Sequence, residues 1–243
     1  MTDGPVQRSN LSALLLEGDA TRTRAALGLT ISHCTIVLQS NLQRQDAWDR
    51  QPYWEAAPWS DESLYHVDEV VHEELEYEEW VNQVWAAVFS MLSGAANLSK
   101  LFYGVGRVVT STRDDDHAWV EAQRRRLREI LDPGPALGAA SRVTRDAFEH
   151  IDERLWWRLL EIHHGRAENQ VIRYATGAKG DWNELVQDPP LGVYDPGSAS
   201  VWFWQRDGQE VSTHLGTLAD EAARLKERAI AVRLAIAPEP YDI

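Results

Sequence analysis

The sequence predicts a mainly α-helical protein with a small β-hairpin followed by a helix near its end. Three features lead to this prediction: long stretches with an apolar residue every three or four positions, a change of period after Gly165, and one Asp-Gly turn between two short alternating stretches. With 243 residues, 44% of them hydrophobic, the chain can bury a sizeable core. We expect a helical bundle over residues 1–165 and a small α/β appendage over residues 166–243, packed on the bundle.

Four stretches before Gly165 show the helical period, and a typical helix breaker is found at three of them. Gly94 is expected to end or bend the second stretch, and the sequence Asp-Pro-Gly-Pro at 132–135 should stop the third. The fourth has the most regular apolar spacing, and Gly165 is a good helix stop. The four stretches are residues 20–45, 64–92, 114–131 and 140–162.

Short alternating segments follow Gly165, and a last helix closes the chain. Residues 171–174 predict a short strand, whereas residues 201–204 and 210–215 flank Asp207-Gly208, a strong hairpin signal. The last helix is predicted from an apolar residue at every third or fourth position. This apolar stripe consists of Leu218, Ala222, Leu225, Ala229, Val232 and Ile236.

The charge distribution limits the classes of function. The chain carries a formal net charge of −14, which argues against a broad, nonspecific nucleic-acid binder with a basic face. Much of that charge lies in residues 51–99, which include ten acidic residues and no Lys or Arg. Such an acidic segment is suited to docking a basic partner, although a solvated helix face is the simpler interpretation.

Several cofactor and membrane classes are excluded by missing motifs. Cys34 is the only cysteine, so an intrachain disulfide and a Cys-rich zinc site are both excluded, and its apolar helical stripe predicts an inert core thiol. There is no Gly-rich phosphate loop and no G-x-S-x-G motif, which excludes a P-loop NTPase and a serine hydrolase. The first residues lead us to expect no signal peptide, and the sequence contains no run of 18 apolar residues. We therefore expect a cytoplasmic protein with no membrane contact.

Arg145, Asp146 and His150 form the candidate catalytic group. At about 100° per residue, Arg145 and His150 fall about 110° to either side of the apolar stripe of helix 140–162, with Asp146 between them. Asp146 and His150 are four residues apart, so the carboxylate can hydrogen-bond the imidazole and select its tautomer. All three side chains point away from the core of their own helix, toward a face that a second subunit could cover.

The string RDAFEH, residues 145–150, resembles the R-x4-6-H motif of HEPN-domain proteins, in which a polar residue follows the arginine. The extension EHIDERL is similar to strings in uncharacterised bacterial HEPN-like proteins. This resemblance covers about twenty residues closely and the helical region loosely. It implies a dimeric helical bundle, in many members a metal-independent endoribonuclease of a toxin–antitoxin or phage-defence system.

The resemblance also implies a role for each residue and needs no metal or other cofactor. RNA supplies its own nucleophile, the 2′-hydroxyl, so the protein need only move protons and stabilise charge. His150 would be the general acid or base, Arg145 would stabilise the charge on the phosphorane, and Asp146 would orient the imidazole. The expected partners are a second copy of the chain through helix 140–162, RNA, and an antitoxin or other regulatory protein.

Other interpretations of the same residues remain open. Arg145 and Glu149 are four apart and could form a surface ion pair, and a second match at Arg158 and His163 shows that the spacing arises easily by chance. A HEPN-like fold without catalysis would be a binding or regulatory module.

A di-metal carboxylate bundle is the third alternative. Glu-x-x-His occurs at Glu69–His72, and Glu161 precedes His163 and His164, but such sites need two further inward-facing glutamates.

For two further groups of residues, one of arginines and one of tryptophans, we favour a structural role over a role in RNA binding. The four arginines at 124, 125, 126 and 128 are interleaved with Glu121 and Glu129, which predicts an exposed helix surface. Trp202 and Trp204 alternate on one strand face, where packing of the hairpin onto the bundle is expected rather than base stacking.

Overall fold

The computed structural model describes residues 20–51, 67–104, 114–137, 160, 163–164, 174–176, 192–204 and 210–236. The protein is mainly α-helical with a small sheet and a helix after it, which confirms the predicted fold class. The helices are α1 (Ala20–Asp49), α2 (Val67–Tyr103), α3 (Asp114–Leu131) and α4 (Leu215–Ala235), with a 3-10 turn at Pro135–Leu137. The strands are β1 (Tyr174–Thr176), β2 (Gly192–Asp195), β3 (Ser200–Trp204) and β4 (Glu210–His214).

The four strands form one sheet in the order β1-β2-β3-β4. Strands β3 and β4 pair antiparallel up to Trp204 opposite Glu210, which confirms the predicted hairpin, although its Asp207-Gly208 turn lies outside the described residues. Strand β1 pairs parallel with β2 and begins at Tyr174, the last residue of the predicted segment 171–174. Residues 171–173 lie outside the described part of the chain.

Strand β2 is absent from the sequence prediction. Its turn toward β3 is stabilised by Asp195, whose Oδ1 accepts a hydrogen bond from the backbone N of Gly197 at 2.9 Å. An Asp-Pro-Gly-Ser sequence is a recognisable turn signal of this type, with the Asp side chain bonding the backbone two residues later. The turn signal alone would therefore have located the end of this strand.

Contacts divide the chain into two compact units built from interleaved segments. Unit 1 contains residues 1–38, 92–145 and 216–243, and unit 2 contains residues 39–91 and 146–215. Helices α1 and α2 each contribute one part to each unit, α4 belongs almost entirely to unit 1, and the sheet belongs to unit 2. The predicted division at residue 165 stays a prediction.

In unit 1, the core side of α4 agrees with the predicted stripe. Leu218, Ala222, Leu225 and Ala229 are fully buried, and Val232 and Ile236 are nearly so. Thus all six predicted apolar positions contribute to the core. The spacing of alternately four and three residues places them along one side of the helix.

The buried side of α1 differs from the apolar stripe that the sequence predicts for it, which consists of Leu27, Ile31, Cys34, Leu38 and Leu42. Leu27 and Cys34 are buried as predicted, but Leu42 is 64% exposed. Polar residues replace apolar ones along the buried side, where each can satisfy its hydrogen bonds: Thr30 donates to the carbonyl of Ala26 at 2.9 Å. The buried positions are Thr23, Leu27, Thr30, Cys34, Val37, Ser40, Arg44 and Ala47.

Helix α2 continues through Gly94 to Tyr103, so Gly94 does not end the helix. Gly94 is buried in close contact with α1. A Cβ atom there would lie 2.9 Å from Cγ2 of Val37 and 3.3 Å from the carbonyl oxygen of His33. The glycine therefore permits close packing of two helices rather than breaking one of them.

Two glycine-to-alanine substitutions test this interpretation. Gly28 of α1 is also helical, but a Cβ there meets nothing within 4 Å. We expect Gly28→Ala to raise the free energy of unfolding by about 1 kcal/mol through helix propensity alone. Gly94→Ala gains the same propensity but overpacks the contact with α1, at a cost of about 1–3 kcal/mol, so it should lower stability. Urea unfolding followed by circular dichroism measures both, and equal stabilisation by the two substitutions would contradict the packing role of Gly94.

Arginine side chains stabilise the carboxyl ends of three helices in unit 1. Arg128 donates to the carbonyl of Phe102 near the end of α2, Arg228 to the carbonyl of Ile130 in α3 at 2.9 Å, and Arg24 to the carbonyl of Ile236 at 3.1 Å. The last carbonyls of a helix have no partner within the helix, and a cation there also complements the helix dipole. These contacts connect helices that are far apart in sequence.

Helix α3 ends at Leu131, as the sequence predicts. Asp132 follows with a φ of +48°, a conformation that Asp tolerates better than most residues, and the 3-10 turn begins at Pro135. Glu221 of α4 accepts hydrogen bonds from the backbone N of Ala136 at 3.1 Å and of Leu137 at 3.0 Å. One carboxylate thus holds the turn after α3 against α4.

The arginine group of α3 is only partly the exposed surface that was predicted. Arg125 is exposed. Arg128, in contrast, is 24% exposed in its side chain, forms an ion pair with Glu121 at 2.8 Å and lies over the ring of Tyr103. Arg126 pairs with Glu129 at 2.9 Å. The interleaved acids therefore neutralise part of the positive charge, as their spacing suggested.

Candidate functional site

The predicted catalytic residues Arg145, Asp146 and His150 lie outside the described residues, and so does residue 165, the predicted helix stop. At the end of the predicted helix 140–162, Leu160 is 47% exposed, and its carbonyl accepts a hydrogen bond from the backbone N of His164 at 3.0 Å. His163 and His164 are both exposed. The catalytic group and the dimer contact through this helix therefore remain predictions.

The residues of the di-metal alternative are also largely outside the described part. The side chains of Glu69 and His72 and the whole of Glu161 are not described, and His163 is exposed rather than inward-facing. Within the described residues, no group of three or more His, Cys, Asp or Glu side chains is arranged to hold a metal ion.

A buried polar cluster in unit 2 surrounds Arg44 of α1. The guanidinium donates from Nη1 to the hydroxyl of Tyr194, and from Nη2 to Oδ1 of Asn41 at 2.9 Å. Nε donates to the same Asn41 oxygen at 3.3 Å. Asn41 and Arg44 are three residues apart on one face of α1, whereas Tyr194 comes from the middle of β2. We call this group, with Trp48 and Trp80, the Arg44 cluster.

The guanidinium lies against the ring of Tyr194, the first of three aromatic rings in contact with one another. Its central carbon lies 5.5 Å from the centroid of the Tyr194 ring, within the range of a cation–π interaction. Trp48 packs edge-on against Tyr194 with ring centroids 6.2 Å apart, and against Trp80 at 5.2 Å. Trp80 is itself fixed by a hydrogen bond from Nε1 to the carbonyl of Ala47 at 2.8 Å. The Arg44 cluster therefore combines one charged side chain with three packed aromatic rings.

Burial controls the ionisation of Tyr194, which is 1% exposed. Burial raises the pKa of Tyr194 above its ordinary value of 10, although the charge and the hydrogen bond of Arg44 act in the opposite direction. The phenol is therefore a neutral O–H group at physiological pH. It accepts a hydrogen bond from Arg44 and keeps its own proton for donation.

The sequence does not predict the Arg44 cluster, because the apolar stripe that it predicts for α1 runs through Leu38 and Leu42. A heptad register would have found Arg44: Thr23, Thr30, Val37 and Arg44 follow each other at intervals of seven, and all four are buried. A cation in line with buried positions is unusual and suggests a specific partner.

Cys34 is the inert core thiol that the sequence predicts. It is fully buried, and burial raises its pKa to about 12, with Lys226 acting weakly in the opposite direction. Because the thiolate is the reactive form, we expect no measurable reaction of the folded protein with Ellman's reagent at pH 8. One thiol per chain should react after unfolding in guanidinium chloride. Stoichiometric reaction of the folded chain within minutes would show that the thiol is accessible and ionised.

Comparisons of the chain with protein-family models, with curated proteins and with solved structures found no match in any of the three. The resemblance to HEPN-domain proteins therefore depends on the residues of the motif themselves. In the described part of the chain, no helix combines the length and the apolar character needed to cross a membrane.

Proposed function

We propose that this chain is a metal-independent endoribonuclease of the HEPN type, acting in the cytoplasm as part of a toxin–antitoxin or phage-defence system. The observation that carries the proposal is the R-x4-H motif at Arg145–His150, with Asp146 after the arginine and the extension EHIDERL. The mainly helical fold is consistent with it. The site is completed by a second copy of the chain packed against helix 140–162.

The proposed reaction uses the 2′-hydroxyl of RNA as the nucleophile. The 2′-oxygen loses its proton and bonds to the adjacent phosphorus, while the bond from phosphorus to the 5′-oxygen breaks and that oxygen takes up a proton. The products are a 2′,3′-cyclic phosphate and a 5′-hydroxyl. His150 transfers a proton, Arg145 donates two hydrogen bonds to the charged phosphorane oxygens, and Asp146 orients His150.

A cleavage assay tests this proposal. The purified chain should cut single-stranded RNA in the presence of EDTA and leave 2′,3′-cyclic phosphate ends, and its expression should be toxic to cells. Loss of cleavage on chelation would instead favour the di-metal alternative. A chain that cleaves none of the RNAs offered would refute the nuclease proposal.

Arg145 provides a sharper test of the proposed chemistry. Arg145→Ala should lower the cleavage rate severely, and Arg145→Lys should not restore it, because an ammonium group cannot reproduce the forked pair of donors. Cleavage rates on one RNA substrate, with thermal melting as the folding control, give the comparison. Full activity of Arg145→Lys would show that only a positive charge is needed.

The molecular mass in solution tests the predicted homodimer. Light scattering at micromolar concentration should give twice the mass of the 27.6 kDa chain. A monomer would count against both the dimer and the composite site.

A non-catalytic binding module is the second candidate, and the acidic face of α2 favours it. Glu78 and Glu79 are exposed, and residues 51–99 contain no Lys or Arg. A basic protein would be the fitting partner. A parent chain without cleavage activity, whose partner is lost in the double variant Glu78→Lys/Glu79→Lys, would support this candidate.

A further inference from the structure

Strand β4 forms one edge of the sheet that the structure describes, since the strand order is β1-β2-β3-β4. It pairs with β3 through consecutive residue pairs, from Ser200 opposite His214 to Trp204 opposite Glu210. An edge strand of regular register presents a row of backbone groups on which another strand can pair, unless a proline or a bulge interrupts it. The sequence of β4 is Glu-Val-Ser-Thr-His, without a proline.

The hydrogen bonds of the hairpin show which residues of β4 direct their backbone groups outward. The backbone N of Leu215 donates to the carbonyl of Ala199 at 2.8 Å, which continues the antiparallel register of β3 and β4 by one pair. Because such bonds recur at every second residue, Thr213 and Val211 direct their backbone N–H and C=O groups toward β3. The backbone groups of the other three residues therefore point toward the outer edge of the strand: Glu210, Ser212 and His214.

The side chains of these three residues are exposed, and their order makes β4 complementary to a second copy of itself. When two copies of β4 lie antiparallel about a twofold axis at Ser212, Ser212 faces its own copy and Glu210 faces His214 of the second copy. These are the residues whose backbone groups point outward, so each facing pair can exchange two backbone hydrogen bonds. Each Glu210 carboxylate also meets an imidazole, whose ring N–H can donate to it.

Other alignments of two β4 strands lose this match. An axis at Val211 or Thr213 would bring together residues whose backbone groups already point toward β3. An axis at Glu210 would place two carboxylates opposite each other, and like charges in facing positions are destabilising. The charged residues of β4 therefore favour one antiparallel register rather than preventing all pairing.

We propose that β4 is an interface between two copies of the chain, which pair antiparallel about Ser212 and join their four-stranded sheets into one. The interface uses other residues than the proposed contact through helix 140–162, and it does not depend on the nuclease activity. Because a single short strand buries little surface, this association should be weaker than the contact through helix 140–162 and should form at higher chain concentration.

Disulfide cross-linking of the full chain tests the proposed pairing. Facing residues that exchange hydrogen bonds in an antiparallel pair have Cα atoms about 5.5 Å apart, within the span of about 4.4–6.8 Å that a disulfide bridges. Ser212→Cys should therefore give a disulfide-linked dimer on mild oxidation of a concentrated solution, seen on a non-reducing gel. Cys34 does not interfere, since it is fully buried and burial raises its pKa to about 12.

Gln43→Cys is the matched control, because Gln43 is exposed on α1, away from the strand. It should remain mostly monomeric on the same gel, and thermal melting of both variants checks that they are folded. If Ser212→Cys gives no more linked dimer than Gln43→Cys, the proposed pairing is excluded.

Charge reversal in the Ser212→Cys background tests the register. Glu210→Lys places an ammonium group opposite the imidazole of the second copy, and His214→Glu places two carboxylates opposite each other. Each should slow cross-linking about threefold or more, because every substitution changes two symmetry-related pairs. The double variant Glu210→Lys/His214→Glu has opposite charges in both pairs, so it should cross-link at about the rate of Ser212→Cys alone.

A double variant that cross-links no faster than either single variant would refute the antiparallel register about Ser212. The measured quantity is the link at β4 itself. A chain that cleaves no RNA, or that does not dimerise through helix 140–162, would therefore leave this result unchanged, and the two proposals can fail separately.

Discussion

Replacement of His150 by alanine is expected to abolish RNA cleavage while leaving the fold intact. The loss of a general acid–base group lowers a rate by about 10²–10⁴, which brings a slow ribonuclease below detection. The fold should survive because the sequence pattern places His150 off the apolar stripe of its helix, where it contributes little buried apolar area. Cleavage of labelled single-stranded RNA and toxicity on expression are the two measurements.

His163→Ala is the matched control for this experiment. It belongs to the second, chance match of the same spacing, and its side chain is exposed in the structure. We expect it to cleave RNA at the parental rate, and both variants to melt at the temperature of the parent. A fully active His150→Ala chain would exclude the catalytic assignment and leave the binding module as the better candidate.

The largest stability effect is expected for Leu225→Ala in α4. Leu225 is fully buried in unit 1, and truncation of a buried leucine costs about 2–5 kcal/mol through lost apolar burial and the cavity left behind. Leu234→Ala makes the same chemical change in the same helix, but Leu234 is 71% exposed. Its effect should stay within about 0.5 kcal/mol. Chemical denaturation of the two variants and the parent measures the difference.

Leu225→Ala and Leu234→Ala also test whether α4 is part of the core of unit 1. A helix attached only to a peripheral appendage would lose its own structure in Leu225→Ala and leave the main unfolding transition of the chain unchanged. In the structure its buried stripe belongs to the same unit as α3 and the first part of α1, so the main transition should move. Similar small effects for Leu225→Ala and Leu234→Ala would contradict the observed packing.

The features that the sequence predicts correctly are those with a local signal. The bounds of α3 and the six buried positions of α4 follow from apolar periodicity and from a Pro-Gly stop, both of which act within a few residues along the chain. The expected helix end at Gly94 is absent, and the role of this glycine comes from its contact with α1, about sixty positions earlier. Periodicity cannot distinguish a glycine that breaks a helix from one that allows a close neighbour.

The two candidate sites also differ in how local their sequence signal is. The motif at Arg145–His150 is local, so the sequence could propose it, but the described residues do not test it. The Arg44 cluster depends on Tyr194, which is 150 positions away from Arg44, and on a strand that the sequence did not predict. The one sequence signal for the cluster is Arg44 itself, a charged residue in line with the buried heptad positions of α1.

The interleaving of the two units has a consequence for how the chain is made. A ribosome releases the protein from its amino end, so α1 emerges long before α4, with which it shares unit 1. The contact between Arg24 and the carbonyl of Ile236 spans 212 positions. The turn after α3 cannot form its hydrogen bonds to Glu221 until that residue has been synthesised. Contacts of such long range form slowly because a large loop must close first. Unit 1 therefore cannot be completed before residues 216–236 have left the ribosome, whereas its contacts among α1, α2 and α3 can form earlier.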